Sequence, residues 1–380
     1  MKYYVPTYEQ AQEMVKQNPE MCFFETKHVI DGYNISLFNY KLAWFENFAK
    51  PLIDTDMRAE EMRGIAFVFN QDGTLYKRYL MMNKFWNINQ NIDTMYDVIK
   101  NWRVKEITTK EDGSLITFIK LPNGNIVAKT KGGFSNDQSI GANKLYTTDT
   151  NLQRFVRHCL DNDIVALFEY VSPLNKIVLD YLKTELILIK MRSNVTGEYI
   201  DINSTDIIFS GIKIVNSIVD KTVEELMVIA KTIEGVEGWV IQFDNNCLVK
   251  QKTEHYFMLH KLYTEELERE DGIIKLILNE QIDDVISQLS EADVVKREYV
   301  RNIEIQVSYI VDKMSTYIDS CDYTVDRKIF AAAHSKDKLF ELSAQVASGR
   351  DKYEVIKKYI LHHTRRLEMA RDFLKEHGRR

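Results

Sequence analysis

From Ile65 to about Lys252, apolar residues fall in short runs broken by turn residues, and several runs alternate with the period of two that gives a strand one buried face. The clearest are Ile65 to Phe69, Ser114 to Ile119, Asn125 to Thr130, Val165 to Val171, Glu185 to Met191, Trp239 to Phe243 and Leu248 to Lys252. Gln71-Asp72-Gly73 and Pro122-Asn123-Gly124 supply residues that tolerate positive φ, so each predicts a turn beside a strand. Asn151 to Asp161 and Thr222 to Thr232 place apolar residues at helical spacing behind plausible caps and predict helices covering the sheets.

After about His255 the period changes to 3.6: Ile274, Leu278, Ile282, Val285, Ile286 and Leu289 share one face, as do Val307, Ile310, Val311, Met314 and Ile318. A last amphipathic helix is predicted from about Lys352 to Lys375, with Ile356, Tyr359, Ile360, Leu367, Ala370 and Leu374 inward and a basic end. The expected architecture is an antiparallel-rich α+β domain over residues 1–254, then a separate all-α domain over 255–380. A chain of 380 residues is long enough for two cores.

The formal net charge of −6 gives no sign of bulk attraction to nucleic acid, so any phosphate site must be built from locally clustered cations. Cys22, Cys159, Cys247 and Cys321 form no C-x-x-C pair, which argues against a zinc knuckle or a disulfide framework and fits a reducing compartment. No apolar run approaches the roughly 20 residues a membrane span needs, and the N-terminus lacks a signal-peptide core. A soluble, cytoplasmic protein without a membrane partner is expected.

The chemistry is concentrated in five short blocks. Lys110-Glu111-Asp112-Gly113-Ser114 sets a lysine at the approach to a strand; alone it reads equally well as a turn with a solvated lysine. Downstream follow Lys129-Thr130-Lys131-Gly132, Leu167-Phe168-Glu169-Tyr170, Glu234-Gly235-Val236-Glu237-Gly238 and Val249-Lys250-Gln251-Lys252. Residues two apart in a strand share a face, so Lys129 with Lys131, and Lys250 with Lys252, are expected to present paired ammonium groups to phosphate, although either pair could be a solvated face. Glu169 interrupts an apolar strand, where an unpaired carboxylate would cost several kcal/mol to bury; it is either edge-exposed or met by a cation, a metal or a ribose hydroxyl.

Together the five blocks resemble motifs I, III, IIIa, IV and V of the ligase and capping-enzyme nucleotidyltransferases, whose catalytic domain is ATP-grasp-like. Within that group the chain resembles the T-even phage RNA ligase 1 family most, through Lys110 to Ser114, Phe168 to Leu179 and Thr196-Gly197-Glu198-Tyr199-Ile200. Glu61-Met62-Arg63-Gly64-Ile65 and Asn83-Lys84-Phe85-Trp86-Asn87 resemble the upstream blocks that bring an arginine and a lysine to the ATP phosphates. The likeness spans nearly the whole chain and is weakest in the C-terminal helices. Gly132-Gly133 departs from the pattern, which has a small hydroxyl residue there.

The resemblance implies an ATP-dependent RNA ligase that joins RNA 3′-hydroxyl and 5′-phosphate ends through AMP held covalently on Lys110, with cleaved tRNA in an infected bacterium as the substrate and a monomer as the working form. A lysine attacks only as the neutral amine, and an ordinary lysine keeps its proton to about pH 10.4, so a surrounding cluster of cations is expected around the nucleophile. Arg63 and Lys84 are expected at the β and γ phosphates, Lys131 at phosphate, Lys250 and Lys252 at the α-phosphate, and Glu169 at the ribose. Glu237 is expected to hold Mg²⁺ or Mn²⁺ through water. Asp112 is read either as part of that metal site or as a turn cap, and Tyr256 either as a stacking partner for adenine or as a core residue. Two other readings remain: a DNA ligase or capping enzyme, and a silent RNA-binding protein of the same fold.

Overall fold

The computed structural model describes residues 4–17, 23–40, 45, 48, 59–173, 179, 181–202, 211–218, 220–256, 269–282 and 294–378. Of the residues named above, Cys22, residues 174–178, Val285, Ile286 and Leu289 lie outside these ranges. The chain divides into two compact units, Met1–Leu259 and His260–Arg380.

In the first unit, strands β1 (Phe23–Ile30), β2 (Tyr33–Tyr40), β3 (Ile65–Phe69), β4 (Leu75–Tyr79), β5 (Trp86–Asn87), β6 (Val104–Lys110), β7 (Ser114–Lys120), β8 (Ile126–Lys129), β9 (Ile164–Val171), β10 (Glu185–Ser193), β11 (Tyr199–Ile200), β12 (Ser217–Ile218), β13 (Gly238–Phe243) and β14 (Leu248–Lys252) follow in chain order. They form three sheets, in the orders β1-β2-β3-β4, β11-β10-β9-β7-β8 and β12-β6-β13-β14-β5. Every pairing is antiparallel except the short β14–β5 contact.

All seven strands expected from the alternating pattern are present. The sheet-rich region starts earlier than expected, because β1 and β2 precede Ile65. Asp31 and Gly32 between them have φ of 53° and 79°, the double positive φ of a two-residue hairpin turn, and Ile30 pairs with Tyr33 across it. An Asp-Gly pair between two strand-like runs was the available signal.

The first two sheets bury a common core with the helices Asp137–Thr148 and Thr150–Asp161, joining Ile35, Leu37 and Val68 to Ile116, Phe118, Phe155 and Phe168. The second of these helices begins as expected, with the Asp149 carboxylate accepting from the Asn151 and Leu152 amides. The third sheet buries Ile107, Trp239, Ile241 and Val249 against Val223–Ile229, whose Thr222 and Glu225 make a reciprocal capping box. Cys159, Cys247 and Cys321 are buried and unbridged.

The second unit is helical throughout its described residues: Glu270–Leu278, Val294–Asp319, Arg327–His334, Phe340–Ala347, Lys352–His363 and Leu367–His377. Val307, Ile310, Met314 and Ile318 are buried, as their spacing requires. The single last helix expected from Lys352 to Lys375 is two helices. The Thr364 amide and hydroxyl both bond the Ile360 carbonyl, ending the first, and extended Arg366 starts the second. Neither Gly nor Pro marks this break, so apolar spacing ran through it. Among the described residues no helix is long and apolar enough to cross a membrane.

Candidate active site

The chain leaves the third sheet at Lys110 and enters the second at Ser114, so Lys110-Glu111-Asp112-Gly113 is the crossing between two sheets. In register across the third sheet, Lys110 at the end of β6 faces Gly238 of β13, which in turn faces Lys252 of β14. Glu237, one residue before Gly238, receives both lysines: Lys110 Nζ is 2.9 Å from Oε2 and Lys252 Nζ 2.8 Å from Oε1. Glu237 and Lys252 are each 2% exposed, whereas Lys110 retains 23% and so remains accessible to a ligand.

Gly238 makes this possible sterically. Its φ is 152°, and a Cβ there would lie 2.0 Å from the Gln251 carbonyl oxygen and 2.7 Å from the Lys252 Cα. Gly113 plays the matching part on the other side, since a Cβ would lie 2.4 Å from the Tyr170 carbonyl oxygen. The approach lets the Gly113 amide donate to Glu169 Oε1 at 3.1 Å.

Withdrawal from water pushes the Glu169 carboxyl up to about 8; Lys110 opposes this, Glu237 and Asp112 add to it, and Arg63 opposes it more weakly. Glu169 is therefore neither on an open edge nor neutralised by a salt bridge. It is a desolvated carboxyl in the electrostatic reach of the other four groups. Such a perturbed acid beside an accessible lysine marks a candidate functional site on physical grounds.

Asp112 is 1% exposed. Its Oδ2 accepts from the Leu179 amide at 2.6 Å and its Oδ1 from the Tyr256 hydroxyl at 3.0 Å. Its own amide donates to the Tyr181 hydroxyl, which donates onward to Glu111. Asp112 thus pins the crossing loop to two other segments, the turn-holding alternative for this residue.

The cations divide into two groups. Lys84 is buried with its ammonium 4.7 Å from the Trp86 ring and 5.3 Å from the Tyr40 ring, and Lys131 lies 4.5 Å from the same Tyr40 ring. Arg63 reaches the residues just before Lys84, with Nη1 at 3.4 Å from the Met82 and Asn83 carbonyls, while its buried Nε has no hydrogen-bond partner. An unfilled guanidinium donor of this kind suits an arriving anion.

These positions bear on three expectations, and the first is corrected. Lys129 and Lys131 do not share a phosphate-facing strand surface: β8 ends at Lys129, whose fully buried ammonium reaches the Gly64 carbonyl at 2.5 Å, and burial draws its pKa down to about 7. The nearest charged partner of Lys110 is the Glu237 carboxylate, which it shares with Lys252, one of the cations expected around it. Tyr256 is 2% exposed, with its hydroxyl on Asp112 and the Lys252 ammonium 4.7 Å from its ring, so it occupies a packing position instead of offering an open face.

The two carboxylates expected at a metal are both engaged by the protein itself. Both oxygens of Glu237 and both of Asp112 already accept from protein donors, and no cluster of three His, Cys, Asp or Glu side chains suited to a metal exists among the described residues. Each carboxylate oxygen has a further lone pair, so Glu237 can still accept from a water on a cation.

Residues 61–267 match the family profile described as RNA ligase. The chain belongs to the RNA ligase family. A curated relative from Thermovibrio ammonificans, named "Putative RNA ligase", is 28% identical over 264 residues, covering 68% of this chain and 67% of the relative. Among solved structures, form 1 of an archaeal ATP-dependent RNA ligase matches 92% of each chain at 16% identity with a TM-score of 0.48. Form 2 covers 78% of this chain and 76% of its own at 16% identity, with a TM-score of 0.46. Neither structural likeness is close enough to transfer a residue's role.

Sequence reasoning about this ligase missed several buried charges. Lys190 and Arg192, two apart in the apolar strand β10, are both buried, Lys190 on Glu106 and Gln242 and Arg192 on Glu61. Two cations in an otherwise apolar run were the overlooked signal.

Proposed function

We propose that this RNA ligase is ATP-dependent and works through AMP held on Lys110, joining RNA 3′-hydroxyl and 5′-phosphate ends. The supporting observation is the convergence of accessible Lys110, Glu237, Lys252, Glu169 and Arg63 where β6 crosses to β7. On this reading, Lys110 Nζ loses a proton to solvent and bonds to the α-phosphorus of ATP, the bond from that phosphorus to the bridging oxygen breaks to release pyrophosphate, and the new phosphoramide nitrogen sheds a second proton to solvent. Lys110 must leave Glu237 to do so, and Lys252 remains to hold that carboxylate.

Arg63, Lys84 and Lys131 hold the leaving phosphates, with Lys250 and Lys252 beside the α-phosphate, because transition-state charge in phosphoryl transfer is met by positioned cations. Glu169 addresses the ribose; with its carboxyl protonated near neutrality it can donate as well as accept. Asp112 and Tyr256 hold the loop. A Mg²⁺ or Mn²⁺ ion would enter with the nucleotide's phosphates, as Mg²⁺ commonly does.

The AMP then passes to an RNA 5′-phosphate, and a 3′-hydroxyl displaces it to seal the strand. We assign residues 1–254 to adenylyl transfer and 255–380 to choosing the RNA, with broken tRNA as the favoured substrate. The test is incubation with α-labelled ATP and Mg²⁺: label should appear on the protein and vanish in Lys110→Ala. A fully labelled Lys110→Ala protein would refute the assignment, and labelling by GTP in preference to ATP would point to capping chemistry instead.

A further inference from the structure

The stretch Thr196 to Ile200 carries part of the family likeness, yet none of its residues enters the site just described. Its contacts converge on Arg192, which is 0% exposed. All five guanidinium N–H groups are used. Nη1 and Nη2 bind Glu61 Oε2 and Oε1 at 3.1 and 2.6 Å, Nη1 also reaches the Met81 carbonyl at 2.6 Å, and Nε and Nη2 both reach the Gly197 carbonyl, at 2.9 and 2.7 Å. The Tyr199 ring lies 5.0 Å from the guanidinium carbon, and its hydroxyl donates to Asn83 Oδ1 at 2.6 Å.

An arginine with every donor filled has nothing left for a ligand. What it joins is informative. Glu61 is two residues from Arg63, and Met81 is three from Lys84. The two segments are also tied to each other, through the Lys84 amide on the Glu60 carbonyl at 2.7 Å and Arg63 on the Met82 and Asn83 carbonyls. Arg192 itself stands on β10, which pairs with β9, the strand bearing Glu169.

We propose that Arg192, Glu61 and Tyr199 are positioning residues that fix Arg63 and Lys84, as one block, relative to the sheet that carries Glu169. This rests on the reading of Arg63 and Lys84 as contacts for the leaving pyrophosphate. A buried ion pair is weak evidence for stability, since apolar replacements of equal volume are often neutral or better. A pair that closes a path between two ligand-holding segments has geometric work that an apolar pair could not do.

The step served is adenylylation by ATP, where pyrophosphate must be held. Sealing an RNA that already bears AMP on its 5′-phosphate involves no pyrophosphate and should not need the block. The experiment measures both reactions in Tyr199→Phe and Arg192→Lys: labelling of the protein by α-labelled ATP across ATP concentrations, and ATP-free sealing of pre-adenylated RNA.

Loss of one buried hydrogen bond in Tyr199→Phe should raise the KM for ATP about threefold to tenfold. Displacement of the block in Arg192→Lys should lower kcat/KM for ATP about 100-fold. Both variants should seal pre-adenylated RNA within about twofold of the parent, a split that general destabilisation would not produce. Equal losses in the two reactions, or an unchanged ATP reaction in Tyr199→Phe, would overturn the positioning role. A parent protein that never takes label from ATP would instead overturn the underlying reading of the site.

Discussion

Glu169→Gln separates the cost of a charge from the value of a hydrogen bond. Gln keeps an oxygen for the Gly113 amide, which now lies 3.1 Å from Oε1, and cannot ionise. The carboxyl's rise from 4.5 to about 8 comes first from desolvation. Its proton is therefore bound more tightly in the folded chain than in the unfolded one. The associated stability is fully present below pH 4.5, drains as pH rises, and is gone above pH 8. At 1.36 kcal/mol per pH unit, that climb sets a ceiling of roughly 5 kcal/mol, and partial solvent contact at Glu169 reduces the expected effect to about 2 kcal/mol. Parent and variant should be nearly equal in urea melts at pH 4, where Glu169 is protonated in the folded chain, largely protonated in the unfolded one, and resembles Gln. At pH 9 the variant should be the more stable by about 2 kcal/mol. If Glu169→Gln is instead less stable at pH 9 than its parent, the charged carboxylate is favoured in place and the desolvation argument is wrong.

Gly238→Ala puts a Cβ 2.0 Å from the Gln251 carbonyl oxygen at a φ of 152°, so β13 and β14 must separate; a loss of roughly 3 kcal/mol or more is expected in thermal melts, together with loss of labelling by ATP. Tyr256→Phe removes the 3.0 Å hydrogen bond to the Asp112 carboxyl and leaves that oxygen buried without this donor; about 1–3 kcal/mol should disappear from the unfolding free energy by urea titration, and an unchanged value would show that water replaces the hydroxyl.

The strands and helices were legible where one periodicity persisted and turn residues bounded it. Ile65–Phe69 and Leu248–Lys252 emerge with their expected ends, because a sheet with one buried face forces alternation. Reading failed where the decisive fact was a contact between distant segments. The break near Thr364 depends on a local hydroxyl bond, and the burial of Lys129 depends on the Gly64 carbonyl, 65 residues away, accepting its hydrogen bond. The site shows the same division. The order and spacing of the blocks brought Lys110, Glu237 and Lys252 forward, and Glu169 came forward because a carboxylate in an apolar strand is costly to bury unpaired. Their partners were not legible. That Glu237 would spend both oxygens on lysines follows only from the register that sets Lys110, Gly238 and Lys252 in one row.

The same register explains why so much charge is buried in the first unit. Glu61, Asp112, Lys129, Lys190, Arg192, Glu237 and Lys252 are each at most 5% exposed. None would be chosen to stabilise a core, because desolvation largely cancels the attraction within each pair and an apolar set could fill the same volume. The pairs do not lie at random. Glu237 with Lys110 and Lys252 joins three neighbouring segments of one sheet, Lys190 with Glu106 joins that sheet to β10, and Arg192 with Glu61 joins β10 to the segment bearing Arg63. Each bond is directional, so together they specify one relative placement of Lys110, Glu169 and Arg63, where apolar contacts would tolerate sliding. Phosphoryl transfer needs little covalent help from a protein but demands its cations within a fraction of an ångström of the reacting group. On the proposed reading, burying the charges fixes that geometry already in the folded chain.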